Sequence, residues 1–200
     1  MKVRLISVLA LVIVAGACKK PAEQQAAAAA PGPAPGTAEW KIQSAMSAGP
    51  SSISAVATIM DWPNSDTGHM TQLRAGNNGW TCLPDQPSTP SSDPACIDGQ
   101  WGKWAESLMA HRAPNITGVG VAYMLQGEAT ASNTDPFKMQ PDSGQSWLMD
   151  GPHLMILSPG AHAYDSLPAE HNNNSPYVMY KGTPYAHIMV PLGTMANHTM

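Results

Sequence analysis

Residues 98–125 read DGQWGKWAESLMAHRAPNITGVGVAYML, and the pattern within them decides the fold class. Asp98 suits a helix N-cap. Trp101, Trp104, Ala105, Leu108 and Met109 follow it at the i, i+3, i+4, i+7, i+8 spacing of one apolar helical face. This spacing predicts a helix from Asp98 to Arg112, closed by Pro114. Ile116 to Leu125 then alternates weakly, with apolar residues in both phases, as in a central strand. A strongly amphipathic helix leading into a buried strand predicts a domain that mixes the two element types.

The flanking sequence extends that reading. A helix is expected from Ala38 to Ala48, ended by Gly49-Pro50, and a strand from Ser54 to Trp62. Asn77-Asn78-Gly79 is a turn signal before Trp80 to Leu83 and predicts a hairpin. His153 to Leu157, Tyr177 to Tyr180 and Ala186 to Val190 are further expected strands, and 127–147 reads as one long loop, of the kind that often serves function. Helix and strand without strict alternation give an α+β expectation. It is a single compact domain over 39–200, with a mixed or antiparallel sheet, one main amphipathic helix and long Pro/Gly-rich loops.

The chain start has a different texture. Lys2 and Arg4 precede an apolar run from Leu5 to Val14, the small residues Ala15, Gly16 and Ala17, and then Cys18. This is the layout of a secretory signal, and the run is too short for a bilayer that needs roughly 20 residues. Val14-Ala15-Gly16-Ala17-Cys18 resembles the lipobox of bacterial lipoproteins, with Ala15 where that family prefers Leu. The resemblance implies a signal peptide over 1–17, diacylglyceryl transfer to the Cys18 thiol, cleavage before it, and acylation (palmitate) of the new N-terminus. Two or three acyl chains anchor stably where one is marginal. Lys19 and Lys20 follow the anchor, without the Asp that in the family favours inner-membrane retention, so the expected location is the outer membrane of a bacterial cell envelope. Residues 18–38 hold Gln24-Gln25, an alanine run over 26–30 and Pro31-Gly32-Pro33-Ala34-Pro35-Gly36, with no aromatic residue before Trp40. They read as a tether with a coil span of roughly 25 Å.

Composition narrows the partners. The chain of 200 residues has a formal net charge of −4, but its basic residues are unevenly placed. From residue 39 onward there are six basic and thirteen acidic residues, a net of −7. Nucleic acid is not an expected partner, because phosphate binding needs a concentrated basic face. Anionic headgroups would repel the domain, so the anchor and not the surface is expected to hold it at the membrane. Cys82 and Cys96 remain besides Cys18. In an oxidising compartment they are expected to form a disulfide, worth roughly 3 kcal/mol for a loop of about 15 residues.

No Gly-x-Ser-x-Gly, His-Glu-x-x-His, Ser-x-x-Lys or P-loop signature is present. The least random constellation is His153-Leu154-Met155 and His187-Ile188-Met189, each placing imidazole and thioether two apart on one strand face. His153, Met155, His187 and Met189 are therefore candidate ligands for copper, above all Cu(I), with Met124, Met179 and His69-Met70 in reserve. The same residues equally suit a core, since Met is a versatile filler and the chain has thirteen of them. A second candidate surface collects Gln126, Glu128, Asn133, Asp135, His153, Lys181, Tyr185 and His187 near strand ends, where binding groups gather.

Several stretches together resemble an uncharacterised family of secreted bacterial proteins. They are Gly79-Trp80-Thr81-Cys82, Val121 to Gly127, Ser132 to Phe137, Gly151 to Met155 and Lys181 to Met189. The resemblance covers most of 44–192 and implies one domain, with no catalytic residue or ligand to carry over. Three functions stay open: a lipid-anchored domain binding a small molecule or an envelope protein, an enzyme on an envelope substrate using His153, His187, Asp135 or Glu128, and a periplasmic copper-binding protein.

Overall fold

Ten short strands and three helices make up the computed structural model, which describes residues 32–63, 68–160, 162–172 and 174–194. The signal segment, Cys18 and the tether through residue 31 lie outside the described residues. Helix α1 spans Ala38–Ser47, where Thr37 caps the first turn by accepting from the Trp40 amide at 3.2 Å. The expected strand from Ser54 begins later. A single helical turn α2 (Ser51–Ser54) comes first, and β1 covers only Thr58–Asp61. Arg74 holds this detour in place by donating to the Ser54 and Ala57 carbonyls at 2.6 and 3.0 Å.

Strands β2 (Thr71–Arg74), β3 (Thr81–Leu83) and β4 (Ala95–Ile97) follow. The Asn77-Asn78-Gly79 turn closes no hairpin, because β1 lies between β2 and β3, antiparallel to the first and parallel to the second. The chain crosses the start of β1 instead. Asn77 N donates to Val56 O, Asn78 Nδ2 to Ile53 O, and Thr58 N to Trp80 O, all near 3 Å. Gly76 makes the crossing fit, since a Cβ there would lie 2.1 Å from the Thr58 nitrogen.

Helix α3 spans Gly99–Met109. Asp98 Oδ1 accepts from the Gln100 and Trp101 amides while Oδ2 accepts from Val121 N at 2.8 Å, so one carboxylate caps the helix and ties it to the sheet. The helix stops well before Pro114. His111 takes a left-handed φ of 51°, and Arg112 N and His111 N return to the Ser107 and Leu108 carbonyls. That is a Schellman ending with His where Gly is usual.

Strand β5 (Gly120–Met124) enters the middle of the sheet as expected. The segment 127–147 is not all loop: β6 (Glu128–Thr130) pairs with β7 (Leu148–Asp150) as a separate two-stranded ribbon. Strands β8 (His153–Leu157), β9 (Tyr177–Met179) and β10 (His187–Pro191) complete a mixed eight-stranded sheet in the order β2-β1-β3-β4-β5-β8-β10-β9. The class is α+β, in one compact domain. No helix among the described residues is long and apolar enough to cross a membrane.

Each sheet face has its own core. On one, α1 packs Ala45 and Ala48 over Ala57, Ile59, Cys82 and Cys96. Cys82 and Cys96 are register partners on β3 and β4 and form a disulfide. On the other, Trp101 and Trp104 of α3 pack with Ala122, Met124, Met155, Leu157, Tyr177, Met179 and Met189.

Candidate functional site: a cleft between helix α3 and the sheet

Strand periodicity places the His-x-Met pairs. Residues i and i+2 share a face, so His153, Met155 and Leu157 of β8 lie beside Met124 and Ala122 of β5 and beside Met189 and His187 of β10. In register, Met124 faces His153, Met155 faces both Ala122 and Met189, and His187 faces Met179. The two histidines stand at opposite ends of this patch. Both are buried, at 1% and 2% exposure.

Each imidazole is fixed by the backbone two residues upstream. His153 Nδ1 meets Gly151 O at 2.7 Å and His187 Nδ1 meets Tyr185 O at 3.1 Å. A carbonyl only accepts, so each ring carries its proton on Nδ1 and leaves Nε2 as a bare lone pair. Neither Nε2 has a hydrogen-bond partner among the described residues. Burial lowers both histidines, His187 to about 4, so both are neutral near pH 7. Around His187 stand the rings of Trp101, Trp104 and Tyr180, edge-on, with centroids at 5.0, 5.5 and 5.5 Å.

A cavity of about 290 Å³ opens beside this patch, lined by Met124, Met155, Met179, His187, Trp101, Trp104, Tyr180 and Glu128, with Trp62, Asp93, Lys138, Met139 and Trp147 further round. Glu128 Oε1 is sealed and lies 4.0 Å from His153 Nε2. Burial, then the neighbouring Asp150 and Asp93 charges, push the Glu128 carboxyl up to about 8. Burial also raises Asp93 to about 6, against the hydrogen bonds from Thr89 and from the Gln86 amide. The charge of Lys138 is taken by Asp142. At the end of the ribbon, Asp150 accepts from Tyr177 Oη at 2.9 Å and pairs with His171 Nε2 at 3.1 Å.

A larger groove of about 840 Å³ shares Trp62, Gln86, Trp101, Trp104, Leu108, Pro136, Met139 and Met155 with the cavity. Its floor is the sheet surface of Thr58, Met60, Thr81, Leu83 and Ile97. One wall is α3, and the other is Pro136, Phe137 and Met139. Met109, Phe137 and Met139 are exposed at 63%, 39% and 68%. His111 stacks on Phe137 at 4.4 Å, so the helix ending and the far wall touch.

The structure brings only part of the expected set to this place. Glu128, His187 and Met155 line the cavity, whereas His153 and Met189 are buried next to it and are not among the lining residues. Gln126 donates to Ser47 O, tying β5 to α1. Asn133 Nδ2 holds Ala169 O at 2.5 Å, and Asp135 accepts from the Phe137 amide in a local turn. Lys181 donates to the Leu167 and Asp165 carbonyls. Tyr185 is buried, and its hydroxyl donates to Arg112 O at 3.0 Å. Sequence reasoning missed Trp62, Asp93, Tyr180 and Met139 as lining residues. The available signal was an aromatic at the end of the strand expected over 54–62 for Trp62 and an acid just before Cys96 for Asp93. Among the described residues no three His, Cys, Asp or Glu side chains cluster as a metal site. Comparison with models of protein families, with curated proteins and with solved structures returned no match.

Proposed function

We propose that this chain is a lipid-anchored domain of the bacterial cell envelope that binds a small amphiphilic molecule in the cleft beneath α3. The observation that carries the reading is the groove of about 840 Å³, mostly apolar and joined to a cavity lined by buried Asp93 and half-buried Glu128, whose Oε1 is sealed. An aliphatic portion fits the methionine- and tryptophan-lined groove, and a hydrogen-bonding head fits the inner end. The volume lies in the range of small-molecule sites, and unbranched thioethers adapt to flexible ligands. The anchor rests on the signal layout, Cys18 and the tether, and the location is the outer membrane, facing the periplasm or the cell surface.

Ala105 offers the direct test, since it lines the groove from α3 and a larger side chain there fills the space. In the full chain, Ala105→Trp is expected to abolish saturable binding of a dodecyl-chain probe while the urea midpoint stays close to wild type. Equal binding by both proteins would sink the groove as the site. Cys18→Ser is expected to move the protein from the membrane to the soluble fraction and to end incorporation of labelled palmitate. Retention of either property would refute the anchor.

A further inference from the structure

His187 is unusual for a core histidine. Its Nδ1–H is held by Tyr185 O, its Nε2 is sealed from solvent with the residue at 2% exposure, and nothing among the described residues donates to it. The Trp101 and Trp104 rings stand edge-on to it, and their indole N–H groups, also buried without a partner among the described residues, do not reach the lone pair within hydrogen-bond distance. Histidines that bind metals show this same arrangement, one nitrogen fixed to a backbone carbonyl and the other left bare. Met179 is its register partner across β9 and β10, and Met155 lies on the adjoining strand on the same face. All three line the same cavity.

We propose that His187 Nε2 with the Met155 and Met179 sulfurs forms a binding site for a soft monovalent metal ion, Cu(I). One imidazole and two thioethers are a donor set that favours Cu(I) over zinc, magnesium or calcium, and the absence of any thiolate or carboxylate among the three sets the charge preference for a single positive charge. The methionine stems supply the movement needed to close on an ion, since each has three rotatable bonds. The ion site lies in the smaller cavity and shares Met155 with the groove, while His187 and Met179 line the cavity and are not among the groove's lining residues.

The test is anaerobic titration of the full chain with Cu(I) against a chromophoric Cu(I) chelator, following tryptophan emission in parallel. Trp101 and Trp104 stand 5.0 and 5.5 Å from the imidazole, so a bound ion is expected to quench them. The expected result is one Cu(I) per chain held against the chelator, with quenching at the same stoichiometry. Met155→Leu and Met179→Leu keep the apolar volume and are each expected to weaken retention at least as much as the roughly 10- to 100-fold cost of losing an outer partner. Met189→Leu, on the same face but outside the cavity lining, is expected to change nothing. His187→Gln is expected to remove binding. Because His187 is buried in the core, the two leucine variants carry the decision. No competition with the chelator, or retention unchanged in both leucine variants, overturns the proposal.

Discussion

Glu128 shows what burial does to a single residue. Its carboxyl is desolvated, faces Asp150 across the β6–β7 ribbon and lies beside neutral His153, so its proton is held up to about pH 8. A carboxyl whose folded pKa is raised stabilises the fold below its unfolded value near 4.5, and that contribution is lost as pH rises towards 8. The buried histidines act in the opposite direction. Their lowered values contribute stability above about 6.5 that is lost as pH falls, down to about 4 for His187. Glu128→Gln, close in shape and always neutral, is therefore expected to flatten the decline between pH 5 and 8. At pH 8 it should exceed wild type by on the order of a few kcal/mol in urea unfolding. Parallel pH profiles for the two proteins would contradict the assignment. Residue order marked Glu128, His153 and His187 as candidates, but it did not show which of them meet. Lys181, Asn133 and Gln126 carry the same polar signal and end on backbone carbonyls. A polar residue beside a strand end reads the same whether its partner is a ligand or a loop.

Among the elements, the helix stripe and the alternation of β5 and β8 were legible because each satisfies its own periodicity locally. The Asn77-Asn78-Gly79 turn was not, because its hairpin reading depends on which strand arrives beside β3. Gly76 and the Arg74 bonds to the α2–β1 corner give that place to β1, and none of these contacts is local in sequence. The end of α3 is similar: Pro114 set an outer limit, and the turn at His111 stops the helix earlier. Asp98 helps to place α3, through two cap bonds and the bond from Val121 N. Asp98→Ala is expected to cost about 2–3 kcal/mol, combining a lost cap with an unpaired strand amide. The measurement is the urea midpoint at constant m. A change below about 0.5 kcal/mol would show that α3 is held by its tryptophans alone.

At the scale of the molecule, the α+β class and the Cys82–Cys96 bridge were legible in the sequence, because the element pattern constrains the first and a cysteine pair in an expected oxidising compartment the second. The cleft did not. It is built from α3, the sheet half of β1, β3 and β4, and the 136–139 segment, which only the folded topology brings together. Its apolar lining looks like core material in the sequence, and only the exposure of Met109, Phe137 and Met139 shows that the core is left open on one side. With a net charge of −7 beyond residue 38, the domain is set against anionic surfaces, which leaves the proposed anchor to hold it and the cleft free to take a ligand. Methyl-labelled methionine spectra of the full chain, titrated with a dodecyl-chain amphiphile, report on this cleft directly. The account predicts saturable shifts of the Met60, Met70, Met109, Met139 and Met155 methyls, all of which line the groove, with Met46 on the opposite sheet face unmoved. No saturable shift, or shifts centred on Met46, would contradict it.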